Sequence, residues 1–82
     1  MPTDQKEKFS FDSHVGKKLR NKRVQLKKTQ TDVANSTNKT FQQVQKYEKG
    51  VNGMSGFVLG QVARYLKVPV TYFYEGYDYE TF

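Results

Sequence analysis

Apolar residues are sparse along this chain and fall in short helical registers separated by turn residues. Val15, Leu19 and Leu26 recur at helical spacing, with Lys22 and Arg23 at the margin of the stripe. They predict a first helix from about Ser13 to Leu26, with Asp12 or Ser13 as its N-cap. Val33 and Ala34 form a small patch in a second helix over about Gln30–Ser36, and Val44 and Tyr47 form another over about Phe41–Lys49. Phe57, Leu59, Val62, Ala63 and Leu66 mark a core helix over about Gly56–Leu66. Pro69 near the start of Val68–Tyr74 and Gly76 after it predict a short fifth helix that sends Val70 and Phe73 inward. The fold class expected is all-α, a compact five-helix bundle over 12–76. Residues 1–11 lack a consistent period and read as a flexible N-terminal arm, and 77–82 as an acidic and aromatic tail.

The polar positions sharpen the middle of the chain. Thr29-x-x-Asp32 and Thr40-x-x-Gln43 each place a hydroxyl at an N-cap and a carboxylate or amide three residues on, as in a capping box. Asn38 between them tolerates positive φ, and Gly50 suits a left-handed helix stop, so two short crossed helices joined by a tight turn are expected. What remains outside on the second of these is Phe41, Gln42, Gln45, Lys46 and Lys49, a polar and basic face without an acid. Glutamine amides can pair with adenine edges, lysine can donate to guanine or phosphate, and a phenyl ring can press on a thymine methyl. Phe41 has an alternative place folded back on the second helix as core. Gln43 reads as a capping partner rather than a base reader.

Gln30, Ala34, Val44 and the Tyr47-Glu48-x-Gly50 ending resemble the helix-turn-helix of the phage-repressor/Cro-like (XRE) family, and the likeness covers roughly Val15 to Tyr74. It implies a lambda-repressor-like domain whose second and third helices form the helix-turn-helix. By that resemblance Arg23 and Glu48 form a partly buried structural ion pair. Gln30 meets a phosphate at the start of the second helix, and Asn52 and Ser55 are phosphate ligands beyond the third. Lys39 and Lys49 are expected at phosphates, and Thr40, Phe41, Gln42, Gln45 and Lys46 at bases. The sequence departs from the family where Thr37 replaces an apolar residue, Asn38 a glycine and Gly53 a frequent basic residue. The first departure predicts weaker packing at the turn, and the third a poorer phosphate contact.

Composition narrows the function classes. Eighty-two residues, 35% of them hydrophobic, allow one domain with a concentrated core. No apolar run approaches the length of a membrane span, and the N-terminus lacks a secretory signal, so a cytoplasmic protein with no membrane partner is expected. There is no cysteine and a single histidine, His14, which reads as a surface residue; neither a metal site nor a catalytic pair is legible, and no cofactor or small-molecule ligand is expected. The net charge is +6, and Lys17, Lys18, Arg20, Lys22, Arg23, Lys27 and Lys28 crowd one acid-free segment. That crowding suggests a polyanion or simply a solvated helix face.

These readings converge on a sequence-specific double-stranded DNA-binding regulator, in the first place a repressor, and not an enzyme. Six of the twelve Phe and Tyr residues follow residue 70, more than a small core can use. A homodimer through Tyr72, Phe73, Tyr74 and Tyr77 is therefore expected, matched to an inverted repeat. Lys6 and Lys8 have a further reading as phosphate contacts from the arm. The competing class is a protein-interaction module, or an antitoxin-like partner-binding protein, on the same fold. It would call for exposed apolar residues on the third helix, where only Phe41 qualifies.

Overall fold

A computed structural model describes the backbone of residues 2–79, with side chains from residue 6 onward. Four α-helices follow one another, α1 Pro2–Gln25, α2 Gln30–Thr37, α3 Phe41–Lys49 and α4 Gly56–Leu66, and a 3-10 turn covers Val70–Tyr74. α3 packs on α1 and α2, α4 on α2, and the 3-10 turn on α1 and α4. Their meeting faces build one core from Val15 and Leu19, Val33 and Ala34, Val44 and Tyr47, then Val58, Leu59, Val62, Ala63 and Leu66, closed by Phe73.

The expected fifth α-helix is not formed. The segment holds only five residues, two of them β-branched and three aromatic, and closes through i→i+3 bonds from Tyr72 N–H to Pro69 and Glu75 N–H to Tyr72. A stretch this short cannot repay the cost of helix nucleation without added turns. Val70 accordingly stays exposed, while Phe73 is fully buried.

α1 begins ten residues before the expected cap, so residues 6–11 belong to the first turns of a continuous helix. Pro2 at its first position has no N–H to leave unpaired. Asp12 is no cap: it lies inside the helix, buried, and accepts from Lys8 Nζ one turn earlier at 2.6 Å. The aromatic surplus after residue 70 is spent on this extension. Phe11 stacks on Tyr74 at 5.5 Å and meets Tyr77 edge-on at 5.1 Å, and Tyr77 Oη donates to Glu7 O at 3.4 Å. His14 sits against Tyr77 with its Nε2 enclosed and unpartnered among the described residues, so it is no simple surface residue. Tyr72 Oη donates to Lys18 O at 3.1 Å, and the ammonium groups of Lys18 and Lys22 lie over its ring at 4.5 and 5.3 Å. Part of the basic crowd on α1 is thus occupied within the chain.

All four helices stop the same way. Lys27, Asn38, Gly50 and Lys67 each take a left-handed conformation. In each case the following N–H reaches back five residues: Lys28 to Arg23, Lys39 to Ala34, Val51 to Lys46 and Val68 to Ala63, at 2.9–3.0 Å. This is the Schellman arrangement, which satisfies carbonyls that the helix end would leave bare. Leu26, expected in the core, is caught in the first of these turns and is exposed. Phe57 is 77% exposed and Val58 is buried in its stead. At about 100° per residue Phe57 stands half a circumference from Leu66, so both cannot face the core.

Candidate nucleic-acid interface

The α2–α3 unit is pinned by its caps. Thr29 Oγ1 accepts from Asp32 N–H at 3.0 Å, and the Asp32 carboxylate accepts from Thr29 N–H at 2.8 Å, completing the first capping box. Those bonds hold the Asp32 carboxyl below its ordinary pKa, with Lys28 helping. Thr37 is buried, and its hydroxyl is satisfied by donating to Val33 O and Ala34 O at 3.0 and 3.2 Å. The second capping box is only half made. Thr40 Oγ1 accepts from Gln43 N–H at 3.1 Å, but the Gln43 side chain turns away and donates to Asn52 Oδ1 at 3.2 Å. A neutral amide oxygen gains less than a carboxylate by accepting at a helix start, and the Gln43 N–H donor finds an acceptor in Asn52 instead.

α3 is held from below by a charged clamp. Arg23 donates from Nε to Glu48 Oε2 at 2.6 Å and from Nη2 to Oε1 at 3.1 Å, a two-pronged pair. Its Nη1 donates to Lys28 O at 3.0 Å, tying the same guanidinium to the α1–α2 turn. The two side chains are 12% and 4% exposed. Gln30, expected at a phosphate, gives one amide N–H to Glu48 Oε1 at 3.0 Å. It therefore belongs to the clamp, with a second N–H remaining. Gly16 lets α1 close on the end of α3: a Cβ there would lie 2.6 Å from Glu48 O.

With Val44 and Tyr47 turned inward, Phe41, Gln42, Gln45, Lys46 and Lys49 share about 140° of the opposite circumference. Gln42, Lys46 and Lys49 are exposed, Gln45 is half-buried, and none of the four makes a side-chain hydrogen bond or ion pair with a described residue. Phe41 is 43% exposed and outside the core, so it does not fold back. Thr40 is exposed at the N-cap, and Lys39 is exposed just before it.

Beyond α3, Asn52 is exposed, its Oδ1 taken by Gln43 and its Nδ2 donating to Val51 O at 3.2 Å. Ser55 caps α4, accepting from Val58 N–H at 3.2 Å. Lys8, Lys39, Thr40, Gln43, Tyr47, Asn52 and Gly53 line one open cleft of about 770 Å³ beside α3. Burial pushes the Tyr47 phenol up, with the Gln43 side chain opposing, so it stays a neutral donor and acceptor near pH 7.

Of the residues expected at a dimer contact, Phe73 has no surface to offer, since it is wholly inside the protomer. Tyr72 and Tyr77 are largely engaged by α1, and Tyr74 keeps an exposed edge. Lys8 gained its place through the i,i+4 pair with Asp12, a spacing visible in the sequence once α1 is extended. No three His, Asp or Glu among the described residues could share a metal ion, and no described helix is long and apolar enough to cross a membrane.

A helix-turn-helix family profile matches residues 19–73. An uncharacterized HTH-type transcriptional regulator of Sinorhizobium fredii is 45% identical over 66 residues, 80% of this chain and 46% of its own length. One from Sinorhizobium medicae is 39% identical over 75 residues, 92% of this chain and 54% of its own. An uncharacterized transcriptional regulator in the ATPase CF(0) region of Rhodospirillum rubrum is 41% identical over 63 residues, 77% of this chain and 58% of its own. The chain thus spans about half the length of these curated relatives. With the capped α2–α3 pair, the left-handed stops at Asn38 and Gly50 and the Arg23–Glu48 clamp, this match shows that the chain belongs to the XRE-type helix-turn-helix family.

Proposed function

We propose that the chain is a sequence-specific double-stranded DNA-binding module of a transcriptional regulator, placing α3 in the major groove. One observation carries the reading. The outer face of α3 carries, beside Phe41, a set of amide and ammonium groups with no hydrogen-bond or ion-pair partner among the described residues, on a helix whose other side is packed against α1 and α2. A solvated helix does not need a buried ion pair beneath it; a helix that must present side chains to base edges in one register does. The relatives' names as transcriptional regulators support the same reading.

In this reading Gln42, Gln45 and Lys46 read base edges, Phe41 meets a thymine methyl, and Thr40 contacts a base or the phosphate beside it. Lys39, Lys49, Asn52 and Ser55 hold the backbone, with Gln30 contributing its second N–H. The protein acts as a homodimer on an inverted repeat, its two α3 helices about 34–36 Å apart, and represses by occupying its site. Exposed Val70 and Tyr74 supply the nearest remaining surface for that contact.

Site selection from random duplexes tests the proposal. A two-fold consensus is expected, and Gln42→Ala should cost roughly 1–3 kcal/mol on it while leaving random DNA affinity unchanged. Enrichment without a consensus, or an equal loss on both duplexes, overturns it.

A further inference from the structure

We propose that Lys8, aimed by Asp12 across Gly53, is a DNA phosphate-binding residue that closes the cleft beside α3. The inference rests on the DNA-binding reading and adds to it a contact from α1.

Three observations meet at this point. Lys8 and Asp12 are one helical turn apart, and Nζ lies 2.6 Å from Asp12 Oδ2. The two ends are unequal: the Lys8 side chain is 70% exposed and the Asp12 side chain 10%. Asp12 is buried because it lies flat on the α3–α4 loop. A Cβ added to Gly53 would stand 2.6 Å from its Oδ1 and 3.0 Å from its Cγ, so a larger residue there would push the carboxylate from this place. Finally, Lys8 lines the 770 Å³ cleft with Lys39, Thr40, Asn52 and Gly53, and Asp12 does not. A smaller pocket next to it is lined by Lys8 and Asp12 together, so the ion pair stands at the edge of the cleft and the lysine is the member that borders it.

An exposed lysine ordinarily samples many rotamers, and ordering it for a ligand is costly in entropy. Here a buried carboxylate holds it. An ammonium has three N–H donors, and Asp12 takes one. The others remain for a ligand in the cleft, whose lining holds a second ammonium, Lys39, among neutral polar side chains and no acid. The cleft runs between the α2–α3 turn and the α3–α4 loop, flanking the face of α3 meant for base edges. The group that fits there is a phosphodiester of the same duplex.

The test measures affinity against salt concentration for a short duplex carrying the selected site and for a random one. Each lysine–phosphate contact contributes about 0.9 to the slope of log K on log salt, equivalent to about an eightfold loss at 0.1 M salt when it is removed. Lys8→Gln should show that loss equally on both duplexes, with the slope reduced by about 0.9, and Lys8→Arg should retain the slope. In an Asp12→Asn background the same Lys8→Gln change should cost less than about twofold, because the ammonium is no longer aimed. A role confined to helix stability would move Tm and leave the slope alone. A steep wild-type slope unchanged by Lys8→Gln overturns the assignment and leaves the DNA-binding reading standing. A full loss in the Asp12→Asn background overturns the positioning by Asp12. A wild type that binds neither duplex overturns both readings.

Discussion

Replacing Glu48 by glutamine should unfold much of this domain's margin of stability. The carboxylate accepts three hydrogen bonds, two from Arg23 at 2.6 and 3.1 Å and one from Gln30 at 3.0 Å. Glutamine keeps the shape but turns one acceptor into a donor facing a guanidinium. Arg23 would then hold an uncompensated charge at 12% exposure, with only Lys28 O and half an amide as partners. Breaking one side of a buried pair costs about 3–5 kcal/mol. A domain of 82 residues is expected to have about 4–12 kcal/mol in all. At about 4–8 °C per kcal/mol, Tm should fall by at least about 12 °C. Urea unfolding followed by circular dichroism gives the difference directly, and its slope should be unchanged if the fold is kept. Arg23→Met with Glu48→Leu should lose less than the two single changes summed, by about 2–3 kcal/mol, since neither charge is left stranded. A Glu48→Gln loss below about 1 kcal/mol, or additivity of the pair, would show that the bridge behaves as a surface contact and that α3 is held by packing alone.

Gly16→Ala should destabilise by about 1–3 kcal/mol or more by urea titration, because its methyl would meet the carbonyls of Tyr47 and Glu48, which are backbone and cannot swing aside. Lys67→Gly should stabilise by about 0.5–1 kcal/mol, since it relieves a lysine at φ 60 that ends α4. A loss of stability there would mean that the lysine side chain contributes more than its backbone costs. The Asp32 carboxyl has a lowered pKa in the fold, so its contribution is present above the unfolded value and lost as pH falls below about 4. Asp32→Asn should flatten that acid limb in a pH series of unfolding midpoints, and an unchanged limb would assign it to other carboxylates.

The middle of the chain was legible because its chemistry is local. Thr29, Asp32, Asn38, Thr40 and Gly50 act on atoms within a few residues, and α2, α3 and α4 begin and end within a residue of where their patterns place them. Legibility fails where distant parts meet. Phe11 gives the first turns of α1 an apolar residue whose partners lie more than sixty positions away, so no local period could show that the helix extends to Pro2. Phe57 and Val58 are adjacent apolar residues, and only the direction from which α2 approaches decides which is buried. Lysine at Lys27 and Lys67 carries no mark of a left-handed stop, although the backbone uses it as it uses Asn38 and Gly50. At the candidate interface, which side chains of α3 face away from the core could be read from spacing alone. The diversion of Gln30 to Glu48 and of Gln43 to Asn52 could not, because each answers to an acceptor brought near by the fold.

The bond from Tyr77 to Glu7 joins positions 70 apart in sequence. The loop it closes is long, so the tyrosine buckle should fasten only after the core around Leu19 and Phe73 has gathered. The opening turns of α1 should therefore be the last piece to set during folding and the first to fray in the native state. Their amides should exchange with solvent together with those of the tyrosine-rich segment and ahead of α3, which would make the helix that meets the solvent earliest the one carrying Lys8.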